Sequence, residues 1–232
     1  MAKLQKKSGN TKFFGNIRAI GFDFDDTLID GQYSIRQRWQ KVLRDYSFLS
    51  PNLEKRFFEI YNKKGPNYKF HLDDTLAELK IGKEFKEEIL LELRKTFQDE
   101  KLLNGAKDLL ESIKKTVFKM GIITDGKRSY QEGRIKKAGI YDYFDFVIYG
   151  KGKKDKKPTK KILESLNKYL NKISVKFPEE FLYIGDNFKN DVEGFLNMGA
   201  KVCWITNNKE NLVKDNLIIV KSLKELEKKL TA

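Results

Sequence analysis

The chain has 232 residues, 40% of them apolar, one cysteine and a formal net charge of +14. This length and composition allow a substantial buried core and exclude both a disordered chain and a small disulfide scaffold. No apolar run reaches the roughly 18 residues of a transmembrane helix, and the basic N-terminus lacks the apolar segment of a signal peptide, so we expect a cytoplasmic protein with no membrane partner.

The first hundred residues predict a tail, one strand and a group of helices. Polar, basic residues 1–16 predict a flexible tail, and the apolar run 17–24 predicts a buried strand that ends in acidic residues. Residues 31–100 follow helical spacing with no convincing strand. Ser34 with Gln37 predicts a capping box at the first of these helices, and Asp74 predicts the N-cap of the third.

Strands and helices alternate after residue 100; for example, residues 181–185 predict a strand and residues 190–198 a helix. This alternation predicts a parallel sheet covered by helices on both faces. About 90 residues separate the first two strands, whereas a parallel crossover needs about a dozen. We therefore predict an α/β class, with a doubly wound parallel core formed by residues 17–30 and 101–232. Residues 31–100 are predicted to form an inserted helical-bundle domain.

Acidic residues cluster where the first strand ends. Asp23 and Asp25 are two positions apart, so both side chains can face one ligand. Ligands of open α/β sheets bind at the carboxyl ends of the strands. Two adjacent carboxylates repel, and a hard cation such as Mg²⁺ removes that conflict. The alternative is structural, with Asp25 or Asp26 capping the following turn.

Other polar residues follow the later strands or precede the helices on the same side of the predicted sheet. Together they supply carboxylates, a hydroxyl and an ammonium group, which are the groups that phosphoryl transfer requires. These candidates are Thr124, Asp125, Gly126, Lys157, Asp186 and Asp191. The alternative for Asp191 is a favourable charge in the first turn of a helix.

These motifs, in this order, resemble the haloacid dehalogenase-like superfamily of hydrolases. The family's DxDxT motif corresponds to Asp23-Phe24-Asp25-Asp26-Thr27, and its second motif, a strand ending in Ser or Thr, to GII-Thr124. Its third motif, Lys often followed by Pro, corresponds to Lys157-Pro158, and its GDxxxxD motif to the segment from Gly185 to Asp191. The resemblance covers nearly the whole chain and favours the branch with a helical cap after the first motif. Within the lysine-rich segment 151–161, Lys154 or Lys156 is the alternative to Lys157.

The resemblance implies a Rossmann-like core and a Mg²⁺-dependent phosphatase that forms an aspartyl-phosphate. It makes Asp23 the nucleophile and Asp25 the general acid and base. Thr124 and Lys157 would hold the phosphoryl group, and Asp125 and Gly126 would also contact it. The metal ligands would be Asp23, the carbonyl of Asp25, Asp186 and Asp191. The expected substrate is a small phosphorylated metabolite such as a sugar phosphate or a nucleotide.

Three alternatives remain, the first within the same family and the other two from other classes of protein. A phosphotransferase or sugar-phosphate mutase of the same family keeps all four motifs. A signalling receiver domain would be about half as long and would lack the helical insertion. A nucleic-acid-binding protein would account for the positive charge, but the chain has no zinc-ligand spacing and no basic stripe interleaved with aromatic residues.

Overall fold

The computed structural model describes residues 13–65, 69–96, 101–151, 157–208 and 212–231, except for the side chains of residues 32–34. Six strands form one sheet in the order β3-β2-β1-β4-β5-β6, and every neighbouring pair is parallel. The strands are β1 Ala19–Phe22, β2 Lys119–Thr124, β3 Phe146–Tyr149, β4 Phe181–Gly185, β5 Lys201–Ile205 and β6 Leu217–Val220. The predicted α/β class with a parallel sheet is confirmed.

The described residues contain nine α-helices of five or more residues. They are α1 Gly31–Asp45, α2 Leu53–Lys64, α3 His71–Glu78, α4 Glu84–Lys95, α5 Ala106–Lys114, α6 Arg128–Lys137, α7 Lys160–Lys172, α8 Glu193–Asn197 and α9 Leu223–Thr231. Within the described part of the chain, no helix combines the length and the apolarity that crossing a membrane requires.

The α/β unit contains residues 1–30 and 101–232. Alternate residues of each strand enter different apolar clusters, as expected for a sheet covered on both faces. Ile20 and Phe22 join the cluster that includes α5 and α9, whereas Ala19 joins the cluster that includes α7 and α8. Because both faces are buried, the strands are apolar along most of their length.

Residues 31–100 form a second compact unit that contains α1 to α4. Leu43, Leu53, Phe57 and Ile89 are fully buried in a separate apolar cluster. The helix α2 ends at Lys64, where Gly65 adopts a φ of +78° that a residue with a side chain rarely adopts.

Several predicted boundaries are wrong. The helix α1 begins at Gly31, so Ser34 lies inside it and does not cap it. The helix α3 begins at His71, so Asp74 lies in its first turn rather than at its N-cap. In both cases the residues that precede the favourable capping residue are themselves helical, so the helix begins before it.

The predicted tail of residues 1–16 also extends too far. Phe14 is buried in the core, and the ammonium group of Lys201 donates hydrogen bonds to the carbonyl of Phe13 and to the side chain of Asn16. The apolar surface of these phenylalanines explains why this part of the chain packs rather than remains free. The rest of the predicted tail, residues 1–12, lies outside the described residues.

Candidate active site

Strand register brings the candidate residues to one edge of the sheet. Phe22 of β1 pairs with Ile122 of β2 and Ile184 of β4, so the residues that follow these strands are neighbours. They line a cavity of about 180 Å³ within the α/β unit. Its lining residues are Asp23, Asp25, Asp26, Thr124, Asp125, Lys157, Asp186, Asn187, Asn190 and Asp191.

The ammonium group of Lys157 lies at the centre of this site. Lys157 is buried, with only 5% of the residue exposed. It donates to Asp23 Oδ1 and to the hydroxyl of Tyr183, the latter at 2.8 Å, and its Nζ lies 2.8 Å from Asp191 Oδ1. Tyr183 is a fully buried residue of β4 whose ring stacks on Phe195, with centroids 3.9 Å apart. The carboxylates and the hydroxyl therefore fix the position of the ammonium.

Burial and charge have opposing effects on these groups. Desolvation raises the pKa of Asp23 well above its ordinary value, although the Lys157 ammonium lowers it. Burial alone would lower the pKa of Lys157, but the negative charges of Asp23 and Asp191 raise it well above its ordinary value. Lys157 therefore carries a positive charge at neutral pH.

Asp186 follows β4 and is held from two sides. The hydroxyl of Thr27, which is fully buried, donates to Asp186 Oδ1 at 3.1 Å, and the indole N–H of Trp204 donates to the Asp186 carbonyl at 2.8 Å. Burial, together with the nearby charges of Asp191 and Asp26, raises the pKa of Asp186 to about 6. Asp186 is thus a carboxylate at neutral pH, with a strong preference for a nearby cation.

Thr124 ends β2 and is 1% exposed. Its Oγ1 accepts hydrogen bonds from the side-chain amide of Gln131 at 2.9 Å and from the backbone N–H of Gly126 at 3.2 Å. These bonds occupy both acceptor positions of the hydroxyl oxygen, so its own hydrogen is free to serve as a donor. A phosphoryl oxygen is a suitable acceptor for that donor.

Comparison with known proteins places this constellation in a family. The family model of haloacid dehalogenase-like hydrolases matches residues 20–205. The chain belongs to this family. It is 28% identical to the glyceraldehyde 3-phosphate phosphatase of Pyrococcus furiosus over 81% of this chain and 80% of that protein. It is 27% identical to the human N-acylneuraminate-9-phosphatase over 83% and 84% of the two chains.

A solved structure has the same fold. It is a Bacillus subtilis protein described as a HAD-hydrolase and bound to magnesium, and it superposes with a TM-score of 0.70 at 20% identity, covering 94% of this chain and all of that one. Together, the family and its phosphatase members confirm the predicted enzyme class, a phosphoric monoester hydrolase.

The carboxylates of this hydrolase fit a divalent cation. Asp23, Asp186 and Asp191 each place one carboxylate oxygen so that the three oxygens lie within 4.8 Å of one another. Two of the three, Asp23 and Asp186, have pKa values raised by burial and by neighbouring carboxylates. The Lys157 ammonium pairs with Asp23 and Asp191, whereas Asp186 accepts from the neutral Thr27 hydroxyl. A hard cation with oxygen ligands would therefore relieve the repulsion among the three carboxylates.

Lys157 is the lysine that the described structure places in the cavity; the alternatives Lys154 and Lys156 lie outside the described residues. Asp125 has a role that the sequence did not indicate. Its Oδ1 accepts a hydrogen bond from the backbone N–H of Lys157 at 2.6 Å, so it fixes the loop that carries the ammonium. The predicted contacts of Asp125 and Gly126 with phosphate stay predictions.

Sequence analysis assigned no role to four residues that support the site, namely Thr27, Gln131, Arg134 and Tyr183. Gln131 and Arg134 are three residues apart, which places them on one face of α6, just beyond the Thr124 end of β2. This spacing could have indicated that both side chains face the same part of the site. Tyr183 gave none, because within an apolar strand it is indistinguishable from an ordinary core residue.

Proposed function

We propose that this hydrolase is a Mg²⁺-dependent phosphatase that cleaves small phosphate monoesters through an aspartyl-phosphate on Asp23. The observation that carries the proposal is a single cavity lined by Asp23, Thr124, Lys157 and the paired acids Asp186 and Asp191. This set contains a nucleophile, two donors for phosphoryl oxygens and carboxylates suited to a metal.

In the first half-reaction, a carboxylate oxygen of Asp23 attacks phosphorus and the bond to the ester oxygen breaks. The departing oxygen takes a proton from Asp25 and leaves as an alcohol. Lys157 and the Thr124 hydroxyl donate to the non-bridging oxygens as their charge shifts in the transition state. Because three partners hold the Lys157 ammonium in place, this positive group needs to move little during the reaction.

In the second half-reaction, Asp25 removes a proton from water as the water oxygen attacks phosphorus. The bond between phosphorus and the Asp23 oxygen breaks, which releases inorganic phosphate and restores the Asp23 carboxylate. Splitting the hydrolysis into two displacements is the usual benefit of a covalent nucleophile.

Asp23, Asp186 and Asp191 would hold the metal through their side chains, and Asp25 through its backbone carbonyl. When bound, Mg²⁺ supplies positive charge that draws a phosphate dianion toward carboxylates that would otherwise repel it. Asn187 assists, because its backbone N–H donates to Asp191 Oδ2 at 3.0 Å and so orients that carboxylate.

The named relatives support a sugar phosphate or nucleotide as substrate. They include the phosphatases of glyceraldehyde 3-phosphate and of N-acylneuraminate 9-phosphate, and a pyrimidine 5'-nucleotidase of Escherichia coli that is 33% identical over 44% of this chain. All three names describe small phosphorylated metabolites, and this is the substrate class we propose here.

The test is phosphate release from 4-nitrophenyl phosphate and from a panel of sugar phosphates and nucleoside monophosphates. We expect turnover that is lost in excess chelator and restored by Mg²⁺ but not by Ca²⁺, whose coordination is looser. Asp23→Asn should fold normally and lose essentially all activity. A wild-type rate in Asp23→Asn would refute the nucleophile, and transfer to a sugar hydroxyl without phosphate release would identify a mutase.

A further inference from the structure

Asp25 differs from the other carboxylates of the site in its partners. Its two carboxylate oxygens accept hydrogen bonds from side chains of α6. The guanidinium of Arg134 donates to Asp25 Oδ1 at 2.7 Å, and the amide of Gln131 donates to Asp25 Oδ2 at 2.7 Å. Both carboxylate oxygens are therefore held by side chains of one helix.

The three side chains form a closed hydrogen-bonded ring. The same Arg134 nitrogen that donates to Asp25 also donates to Gln131 Oε1 at 2.7 Å. The Gln131 amide nitrogen has two hydrogens and directs one to Asp25 and one to Thr124. The ring therefore couples the Asp25 carboxylate to the hydroxyl assigned to the phosphoryl group.

The burial of this ring is unequal. The Asp25 side chain is 41% exposed, whereas the Arg134 side chain is 7% exposed. A buried guanidinium is costly unless it is paired, and Arg134 lies over the rings of Phe24 and Tyr130 at 5.2 Å from each centroid. The buried Arg134 guanidinium is thus the fixed member of the ion pair, and its hydrogen bond holds the more exposed Asp25 carboxylate.

Gly126 leaves room for the side-chain amide of Gln131. A Cβ at position 126 would lie 2.3 Å from Gln131 Cγ and 2.5 Å from its amide nitrogen, so any side chain there would displace the amide. The glycine thereby allows the amide to reach Thr124 and Asp25 together. A packing requirement of this kind is expected where a side chain must be held in one rotamer.

From this geometry we propose that Gln131 and Arg134 are positioning residues that hold the Asp25 carboxyl group where it exchanges its proton with the departing ester oxygen. The inference rests on the proposed function, since it presumes that Asp25 is the general acid. Neither residue touches the reacting atoms; each acts through Asp25, and Gln131 also through Thr124.

The experiment compares two leaving groups. A 4-nitrophenolate leaves without a proton, whereas an alkoxide needs one, so a misplaced general acid harms alkyl phosphates selectively. The measured quantity is kcat/KM, which reports the steps up to leaving-group departure. The substrates are 4-nitrophenyl phosphate and the alkyl phosphate of the panel that the wild type hydrolyses fastest.

Arg134→Met keeps the aliphatic stem of the side chain and removes its donors. We expect kcat/KM to fall about 10- to 100-fold for the alkyl phosphate and only about 3-fold for the aryl phosphate, as for a misplaced catalytic group. Arg134→Lys should recover part of the loss. The double variant Arg134→Met with Asp25→Asn should be no slower than Asp25→Asn, because both changes remove one function.

The matched control is Arg128→Met, an arginine of the same helix whose side chain is 71% exposed and paired with Glu132. It should leave both values of kcat/KM unchanged. If Arg134→Met does not fold, Gln131→Met and Gly126→Ala provide the same comparison. These variants should again lower kcat/KM more for the alkyl phosphate. They should also lower kcat/KM for both substrates equally, because Gln131 orients the Thr124 hydroxyl as well.

Four results would overturn the proposal. An equal loss on both substrates would give Arg134 a merely structural role, and a gain in activity would mean that the ion pair restrains Asp25. A double variant slower than Asp25→Asn would show that Arg134 acts elsewhere. If Asp25→Asn itself shows no leaving-group dependence, the acid role within the proposed function fails, and the positioning role fails with it.

Discussion

Asp186 illustrates how a proposed metal ligand would link metal binding to folding. Its pKa is raised to about 6 from an ordinary value of 3.8. A carboxyl group with a raised pKa holds its proton more tightly in the folded than in the unfolded chain. Its contribution to stability is therefore present below pH 3.8 and is lost as pH rises to about 6 in the metal-free protein. At neutral pH this charge opposes folding, and a cation bound at the proposed site would offset that cost.

This linkage predicts that Mg²⁺ stabilises the protein more at pH 7.5 than at pH 5. Below its pKa of about 6, Asp186 must release a proton before it can bind the metal, so affinity falls by about tenfold per pH unit. The measurement is Tm with and without Mg²⁺ at both pH values, since a ligand of the folded state raises Tm.

Asp186→Asn is the control for that measurement. The amide has no proton to release and no charge, so the variant should lose most of the Mg²⁺-induced gain in Tm at both pH values. Its metal-free form should be at least as stable as the metal-free wild type at pH 7.5. An equal gain in Tm at pH 5 and pH 7.5 in the wild type would contradict the assignment of Asp186 as a ligand.

Element packing also determines the site, most directly where β4 ends. A Cβ at Gly185 would lie 2.5 Å from Asp191 Cβ, too close for the two to coexist without movement. Asp191 is 1% exposed and accepts hydrogen bonds from the Tyr183 hydroxyl and from the Asn187 backbone, so it has little room to move. The absence of a side chain at Gly185 is what brings this carboxylate against the strand end.

We therefore expect Gly185→Ala to lower phosphatase activity about 100-fold, in keeping with a shift of about 1 Å in a catalytic group. The cost in stability should be about 1–3 kcal/mol, typical of overpacking. Steady-state kinetics and urea unfolding measure the two effects. The Mg²⁺-induced gain in Tm should shrink as well, because Asp191 is one of the proposed ligands.

Gly133→Ala is the matched control. Gly133 lies within α6, and its Cβ would meet no atom within 4 Å. Alanine at such a helical position should raise the free energy of unfolding by about 0.5–1 kcal/mol. If Gly185→Ala were as harmless as Gly133→Ala, the close approach of Asp191 to β4 would not matter for the reaction.

The elements show what the sequence could and could not predict. The strand β4, Phe181–Gly185, was predicted to the residue because an apolar run ends at a turn. The predicted helix 190–198 is instead a π-helical turn, Phe188–Val192, followed by α8. That turn carries Asp191, and its local pattern resembles the start of an ordinary helix. Strand order was also beyond the sequence, since periodicity does not tell which strand lies beside β1.

The same division applies to the site. Asp23, Thr124, Lys157, Asp186 and Asp191 were predicted because each follows a strand or precedes a helix on one side of the sheet, and all line one cavity. Their supporting partners were not predicted. Those contacts depend on tertiary distances, such as the one from Thr27 to Asp186, which are 159 positions apart.

At the scale of the whole molecule, the chain leaves the α/β unit and returns to it at adjacent points. The backbone N–H of Asp30 donates to the carbonyl of Lys101 at 3.1 Å, and Ile29 forms a β-bridge with Leu102. The two units bury separate apolar clusters, and the described residues that line the candidate active-site cavity belong to the α/β unit. The helical unit therefore behaves as an insertion between two neighbouring positions of the core.

Replacement of residues 31–100 by a linker of about four Gly and Ser residues should therefore give a folded protein, because closing so short a gap costs little chain entropy. We expect cooperative thermal unfolding and a retained Mg²⁺-induced gain in Tm, since Asp23, Asp186 and Asp191 all remain. The same shortened chain with Asp186→Asn should fold without that gain. A shortened chain that unfolds without cooperativity would show that the α/β unit needs the helical unit to fold. One that unfolds cooperatively but has lost the gain would show that residues 31–100 contribute to the metal site.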